Sequence, residues 1–348
     1  MFSLQYFLAF LSSFILTAVL TVPTIWLAKK MELIDQPSSE RKIHRQATPL
    51  FGGLAIFVSF FALVYLFRSV LLVGNLEPYH YFGFFVGSLF LMIGGFLDDK
   101  FNLRPAQQLM FPILAIAALI AGGVHIDKIT NPAGGYIYLG YWSSLLISLW
   151  LIGMMYTTKL LDGVDGLVTG VVGIGGLVIF LFTSTTRYYQ PDIALASLLL
   201  AGACAGFLVF NWHPAKIFLG EGGSLLLGYI LGVLAIISGG KIAVALLVMG
   251  IPVLDVVWTI LRRLAQGKNP FKFADRKHLH HRLLDLGLGQ RKTVLVFYAF
   301  ALFFGLSGLF LQSLGKVYAL AILLVIMLGL VIGFSQWDKK KNDTTPTA

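Results

Sequence analysis

Asp98 and Asp99 stand side by side in GGFLDDKFNLRP, residues 94–105, at the end of an otherwise uncharged apolar run. A carboxylate at the edge of hydrocarbon is costly unless it is wet, paired or bound to a cation. Consecutive helical residues point about 100° apart, so the two acids cannot share one simple ion pair. One reading is a solvated helix end with Lys100 or Arg104 as partner. The other is a site for Mg²⁺, a hard cation that takes oxygen ligands and substrate phosphates.

Three further stretches carry groups of the same chemistry. LLDGVDGLVTG sets Asp162 and Asp165 three apart, on one face if helical, with Gly163, Gly166 and Gly170 leaving room for close backbone approach. KIFLGEGGSLLLGY places Glu221 before an apolar helix, either as a simple cap or beside N–H groups and a positive helix end that favour an anion. DRKHLHHRLLDLGLGQRK packs Arg276, Lys277, His278, His280, His281 and Arg282 into seven residues. If the segment is helical, His278 lies on the face of His281 and Arg282, and His280 over Arg276. Three close histidines suit zinc, but the flanking cations repel a metal, and a polyanion such as pyrophosphate is the more economical use of these donors. A weaker signal lies upstream, where Arg41, Lys42, His44 and Arg45 precede Gly52 and Gly53.

The elements that must hold these groups are membrane helices. Residues of apolar type make up 57% of the chain and charged residues 12%, far from the balance of water-soluble domains. Eleven apolar runs, near residues 4–27, 50–67, 80–97, 107–123, 141–158, 164–184, 193–210, 224–239, 242–261, 293–312 and 316–334, each suit a helix crossing about 30 Å of hydrocarbon. The first lacks the basic start of a signal peptide and reads as a retained helix. The expectation is an all-α polytopic bundle, a single catalytic domain over 1–334, with a disordered polar tail from 335 to 348.

Lysine and arginine set the orientation. The links after runs 1, 3, 5, 7 and 9, with the tail, hold 21 of the 26, and the opposite links hold Arg68, Lys128, Arg187, Lys241 and Lys316. The positive-inside rule then puts the N-terminus outside, the C-terminus in the cytoplasm and every chemically equipped link on the cytoplasmic face. The net charge of +10 follows from that topology, and no basic stripe with interleaved aromatics exists for nucleic acid. The single cysteine, Cys204, excludes an internal disulfide and a cysteine metal site.

Five acids and a His/Arg/Lys cluster on one membrane face equip a chain for phosphoryl transfer, in which metal and cations stabilise charge during displacement at phosphorus. A transporter or flippase would instead carry its ionisable groups near the bilayer middle. GGFLDDKFNLRP, LLDGVDGLVTG, KIFLGEGGSLLLGY and DRKHLHHRLLDLGL, in this order and spacing, resemble the polyprenyl-phosphate N-acetylhexosamine-1-phosphate transferases. His-Leu-His-His-Arg is more similar to the branch using UDP-N-acetylglucosamine and related sugars than to the phospho-MurNAc-pentapeptide translocases, which have three consecutive histidines.

The resemblance implies transfer of a HexNAc-1-phosphate from a UDP-sugar to undecaprenyl phosphate, with release of UMP. It implies Mg²⁺, with Mn²⁺ as substitute, a homodimer, and a bacterial cytoplasmic membrane enzyme that starts a cell-envelope glycan such as lipopolysaccharide or teichoic acid. Asp98 would deprotonate the lipid phosphate beside Asp99, and Glu221 would hold the metal with Asp162. Asp162 and Asp165 would line the nucleotide pocket. His278, His280 and His281, with Arg282, would meet the diphosphate, and Lys42 and His44 match a basic element of the first link. Three departures from the family pattern matter. Tyr156 and Lys159 stand where asparagines are usual, and Gly-Glu-Gly-Gly-Ser replaces Gly-Asp-Thr-Gly-Ser. Lys159 adds a cation that replaces part of the metal's charge or binds phosphate directly.

Overall fold

The computed structural model of the chain describes residues 4–37, 47–72, 76–131, 134–185, 189–239, 241–267 and 278–343. Helices cover each of the eleven apolar runs. In chain order they are α1 (Leu4–Lys30), α2 (Gly53–Leu66) with the one-turn α3 (Arg68–Leu71), α4 (Pro78–Phe101), α5 (Pro105–Ala121) and α6 (Trp142–Leu161). Then follow α7 (Leu167–Thr183), α8 (Pro191–Asn211), α9 (Gly220–Ile237), α10 (Ile242–Val248), α11 (Gly250–Ala265), α12 (Leu279–Asp285), α13 (Gly289–Phe310) and α14 (Ser313–Asp343). Two short antiparallel pairs interrupt them, β1 (Ile34–Asp35) with β2 (Thr48–Pro49), and β3 (Lys128–Thr130) with β4 (Tyr136–Tyr138).

Seven of these helices are long and apolar enough to cross a membrane, and the count reaches eight if the α10–α11 pair is one span. The helices α2, α5 and α7 are apolar but shorter. Where one straight helix was expected over 242–261, α10 and α11 are bent by 82°. Gly250 and Pro252 follow the break, and proline lacks the N–H that would continue the ladder. The expected tail boundary also moves: α14 runs past residue 334 to Asp343, because lysine is a good helix former once a helix is started. Residues 344–348 lie outside the described residues.

The helix α9 is the hub. Nearly every residue of it is buried, and α4, α6, α2 and α7 all pack against it. In lipid, where no hydrophobic force drives helices together, small residues allow the close approach that makes packing favourable. Gly222 and Gly223 supply it here: a Cβ on Gly95 of α4 would collide with the Gly222 backbone, and one on Gly53 of α2 with Gly223. Backbone bonds from Gly52 to Phe218 and from Gly53 to Leu219, both 2.9 Å, tie the link after α1 to the same spot. The C-terminus of α4 and the N-terminus of α9 are thereby held side by side.

Candidate active site

At that junction the carboxylates meet. Asp98 and Asp99 sit in the last turn of α4, and Asn102 ends the helix in the left-handed conformation (φ 50°). That sharp exit folds the following residues back, so that Asp98 Oδ1 accepts hydrogen bonds from the Leu103 N–H (2.9 Å) and from Gln108 Nε2 on α5 (3.0 Å). Asp99 turns the other way and accepts the Glu221 N–H, both carboxylate oxygens lying 3.2 Å from it. A carboxylate there satisfies an orphan donor of the first turn and faces the positive end of the helix dipole. The cap of α9 is therefore Asp99 from another helix, which leaves the Glu221 side chain to the cleft.

Lys159, near the end of α6, bridges the two pairs. Its Nζ lies 2.9 Å from Glu221 Oε2, 3.1 Å from Gln108 Oε1 and 4.0 Å from Asp98 Oδ2. The next acids do not share a helical face. Asp162 caps the C-terminus of α6, and the chain from 162 to 166 is a turn that ends at Gly166 with φ 77°. Asp165 Oδ2 accepts the Ala215 N–H (3.1 Å) and meets His213 Nδ1 (2.7 Å), fixing the link between α8 and α9. Arg291 donates to the His213 carbonyl from α13.

Together these residues line one cleft of about 800 Å³, whose walls include Asp98, Asp99, Lys159, Asp162, Asp165, Glu221 and His281. Asp162 is exposed to the cleft; the protein around it and its neighbours Glu221, Asp99 and Asp165 push its carboxyl up to about 8. Water or a cation in the cleft works against that shift, since either stabilises the charged form. The set is rich in hard oxygen donors whose mutual repulsion a divalent cation relieves, so the residues fit magnesium. No group of three or more His, Cys, Asp or Glu among the described residues is already gathered as a metal cage. Mg²⁺ does not require one, because it commonly takes one or two carboxylates, waters and substrate phosphates.

The histidines form a second layer. His278 is the N-cap of α12 with an extended backbone (φ −66°, ψ 149°), not a member of the helical face expected for it. Its Nδ1 lies 2.8 Å from Asp255 Oδ2 of α11, and Asp255 Oδ1 accepts the Leu279 N–H at 3.0 Å. The His278 and His280 rings are parallel with centroids 5.7 Å apart, and His280 touches His281 at 4.2 Å. His280 is buried, neither ring nitrogen has a hydrogen-bond partner among the described residues, and burial with two neighbouring imidazoles drives it well below its usual pKa. It is neutral. Of the three, His281 alone reaches the cleft wall. Arg282 lies over the Phe334 ring of α14 at 5.2 Å, away from the cleft lining. Lys42 and His44 lie outside the described residues, as do Arg276 and Lys277.

Sequence reasoning missed Gln108, Asp255 and His213. The available signal was weak: a polar pair at the start of α5, a lone acid within the apolar stretch GIPVLDVVW, and a histidine before Pro214.

Comparison with known proteins identifies the family. Residues 81–239 match the family described as glycosyl transferase family 4. A probable undecaprenyl-phosphate N-acetylglucosaminyl 1-phosphate transferase of Bacillus subtilis is 30% identical over 92% of this chain and 88% of its own length. An undecaprenyl-phosphate alpha-N-acetylglucosaminyl 1-phosphate transferase of Thermotoga maritima is 34% identical over 85% of this chain and 87% of its own. A phospho-N-acetylmuramoyl-pentapeptide-transferase of a Geobacillus strain is 29% identical over 88% and 97%. The chain therefore belongs to glycosyl transferase family 4, with the polyprenyl-phosphate N-acetylhexosamine-1-phosphate transferases that its four motifs resemble.

Proposed function

We propose that this protein transfers N-acetylglucosamine 1-phosphate from UDP-N-acetylglucosamine to a polyprenyl phosphate such as undecaprenyl phosphate, in the cytoplasmic membrane of a bacterium. The observation that carries this reading is the convergence of five acids, Lys159 and His281 on one cleft at the junction of α4, α6 and α9. The names of the relatives support the sugar and the lipid. The segregation of lysine and arginine supports eleven crossings, an outer N-terminus and a cleft opening to the cytoplasm, and residues 1–334 form one catalytic domain.

In this reaction an oxygen of the lipid phosphate attacks the β-phosphorus of the donor. A new P–O bond forms, the bond from that phosphorus to the bridging oxygen breaks, and UMP leaves with the electron pair. Asp98 takes a proton from the lipid phosphate; its Oδ1 is fixed by two hydrogen bonds, which leaves Oδ2 as the accepting atom. Asp99 keeps the α9 N-terminus in register. Glu221 and Asp162 would hold Mg²⁺, which when bound neutralises charge on the diphosphate. His281 meets the diphosphate as a hydrogen-bond donor, and Asp165 shapes the nucleotide side through the His213 link.

The test is UMP release by purified protein given undecaprenyl phosphate, a panel of UDP-sugars and Mg²⁺. Release that requires lipid, metal and UDP-N-acetylglucosamine is expected, with Asp98→Asn losing at least about a hundredfold in kcat while remaining folded. Release of no UMP from any sugar, or a fully active Asp98→Asn enzyme, overturns the reading or the assigned base respectively.

A further inference from the structure

Six carboxyl groups line the cleft (Asp35, Asp98, Asp99, Asp162, Asp165 and Glu221), and among the described residues Lys159 is the one lysine or arginine that faces them. Its side chain is only 17% exposed. The ammonium is held from three sides, by Glu221 Oε2 at 2.9 Å, Gln108 Oε1 at 3.1 Å and Asp98 Oδ2 at 4.0 Å. Gln108 is oriented for this: its amide oxygen faces the ammonium, which can only donate, while its Nε2 donates to Asp98 Oδ1 at 3.0 Å. Lys159 thus occupies the centre of negative charge in the cleft, in contact with a carboxylate that the proposed function gives to the metal.

We infer that Lys159 is the resident counter-ion of this site: it holds Glu221 and Asp98 while the cleft is metal-free, and it yields Glu221 when a divalent cation enters. The inference rests on the magnesium reading of the preceding section. An ammonium 2.9 Å from Glu221 competes directly for that carboxylate, and its charge opposes any second cation nearby. Removing it eliminates the competitor and takes the neighbouring ammonium away from Glu221 and Asp98. The metal-free protein then loses stability, because Glu221, Asp98 and the acids around them repel one another without the ammonium between them, while metal affinity rises. Two other roles give different results. A lysine that served only as a phosphate ligand would leave metal affinity unchanged in the absence of nucleotide. A purely structural lysine would cost the same stability with and without metal.

The experiment is Mn²⁺ titration of the detergent-purified protein without nucleotide, read by electron paramagnetic resonance, together with thermal unfolding in EDTA and in saturating Mn²⁺. Lys159→Met is expected to bind Mn²⁺ roughly tenfold or more tightly than wild type, the scale of an opposite charge within a few ångströms. Its Tm is expected to fall in EDTA and to recover when Mn²⁺ is added, while Lys159→Arg stays near wild type in both. If Lys159→Met does not fold, Lys159→Gln decides: it removes the charge, keeps a polar side chain beside Glu221 and Gln108, and carries the same expectation of tighter Mn²⁺ binding. Wild-type or weaker affinity in Lys159→Met, or in Lys159→Gln where that variant decides, overturns the counter-ion role. A wild-type protein that binds no Mn²⁺ refutes the magnesium reading itself.

Discussion

Adjacent residues in this site have divided tasks, and the division follows from which neighbour meets each carboxylate. Asp98 is pinned by Leu103 and Gln108 on one oxygen, whereas Asp99 is spent on the Glu221 N–H. Asp162 has no such anchor among these bonds, and its carboxyl is raised to about 8 by its enclosure and by Glu221, Asp99 and Asp165. The unfolded-state value is about 3.9, so the metal-free native protein binds this proton more tightly than the unfolded chain, by an amount that water in the cleft reduces. Stability from this group is therefore complete below about pH 4 and declines as pH rises toward 8. In EDTA, Tm is expected to fall between pH 5 and pH 9, and Asp162→Asn is expected to flatten that slope; thermal scans at several pH values check it, and an unchanged slope removes Asp162 as its source. At Asp255 the expectation is different. Asp255 touches His278 and the Leu279 N–H but does not line the cleft, so Asp255→Asn should act through His281, raising KM for the nucleotide sugar about tenfold more than it lowers kcat. The acids of the four motifs could be read in the sequence because charge beside hydrocarbon demands a reason. Asp255 and Gln108 could not, because what they do depends on partners 23 and 51 residues away.

Among the elements, α4 and α9 decide whether the site exists. Gly95 and Gly222 let their backbones touch, and a methyl group at Gly95 has no room because the atoms it meets are main chain. Gly95→Ala is expected to separate the two helices, cost about 1–3 kcal/mol and stretch the contact of Asp99 with the Glu221 N–H. Thermal unfolding together with UMP release tests this: a Gly95→Ala protein with wild-type Tm and activity would show that the approach is not required. The positions of the helices were legible, since a long apolar run has few alternatives in a membrane. Their interruptions were less so. The bend at Met249 falls inside a continuous apolar stretch, and hydropathy does not register the loss of one backbone donor at Pro252. The turn at 162–166 could not be told from helix for a related reason: Asp162 and Asp165 have helical spacing, but Gly163 and Gly166 permit the backbone to leave the helix between them.

For the whole molecule, the side of the membrane that the cleft faces rests on charge segregation and is open to a direct measurement. Cys204 is buried in α8, so Cys204→Ser provides a background into which single cysteines can be placed. The β3–β4 hairpin exposes Tyr138, and the link between α4 and α5 exposes Asn102 at the cleft entrance. With an outer N-terminus the hairpin lies outside and Asn102 lies in the cytoplasm. Tyr138→Cys is then expected to react with a membrane-impermeant maleimide on intact cells, and Asn102→Cys only after permeabilisation. The reverse pattern would turn the cleft to the outer face, away from any cytoplasmic nucleotide sugar, and would overturn the proposed donor along with the topology. Labelling of both sites on intact cells would mean a water path through the bundle, the behaviour of a transporter with access from both sides. The arrangement argues against the last result: among the described residues six carboxyl groups, one ammonium and a histidine line a single cleft where α4 and α6 end and α9 begins, with the fully buried Phe60 and Tyr229 in the core. Under the proposed function such a cleft would take a charged headgroup and a nucleotide at the membrane boundary and leave the lipid chain in hydrocarbon.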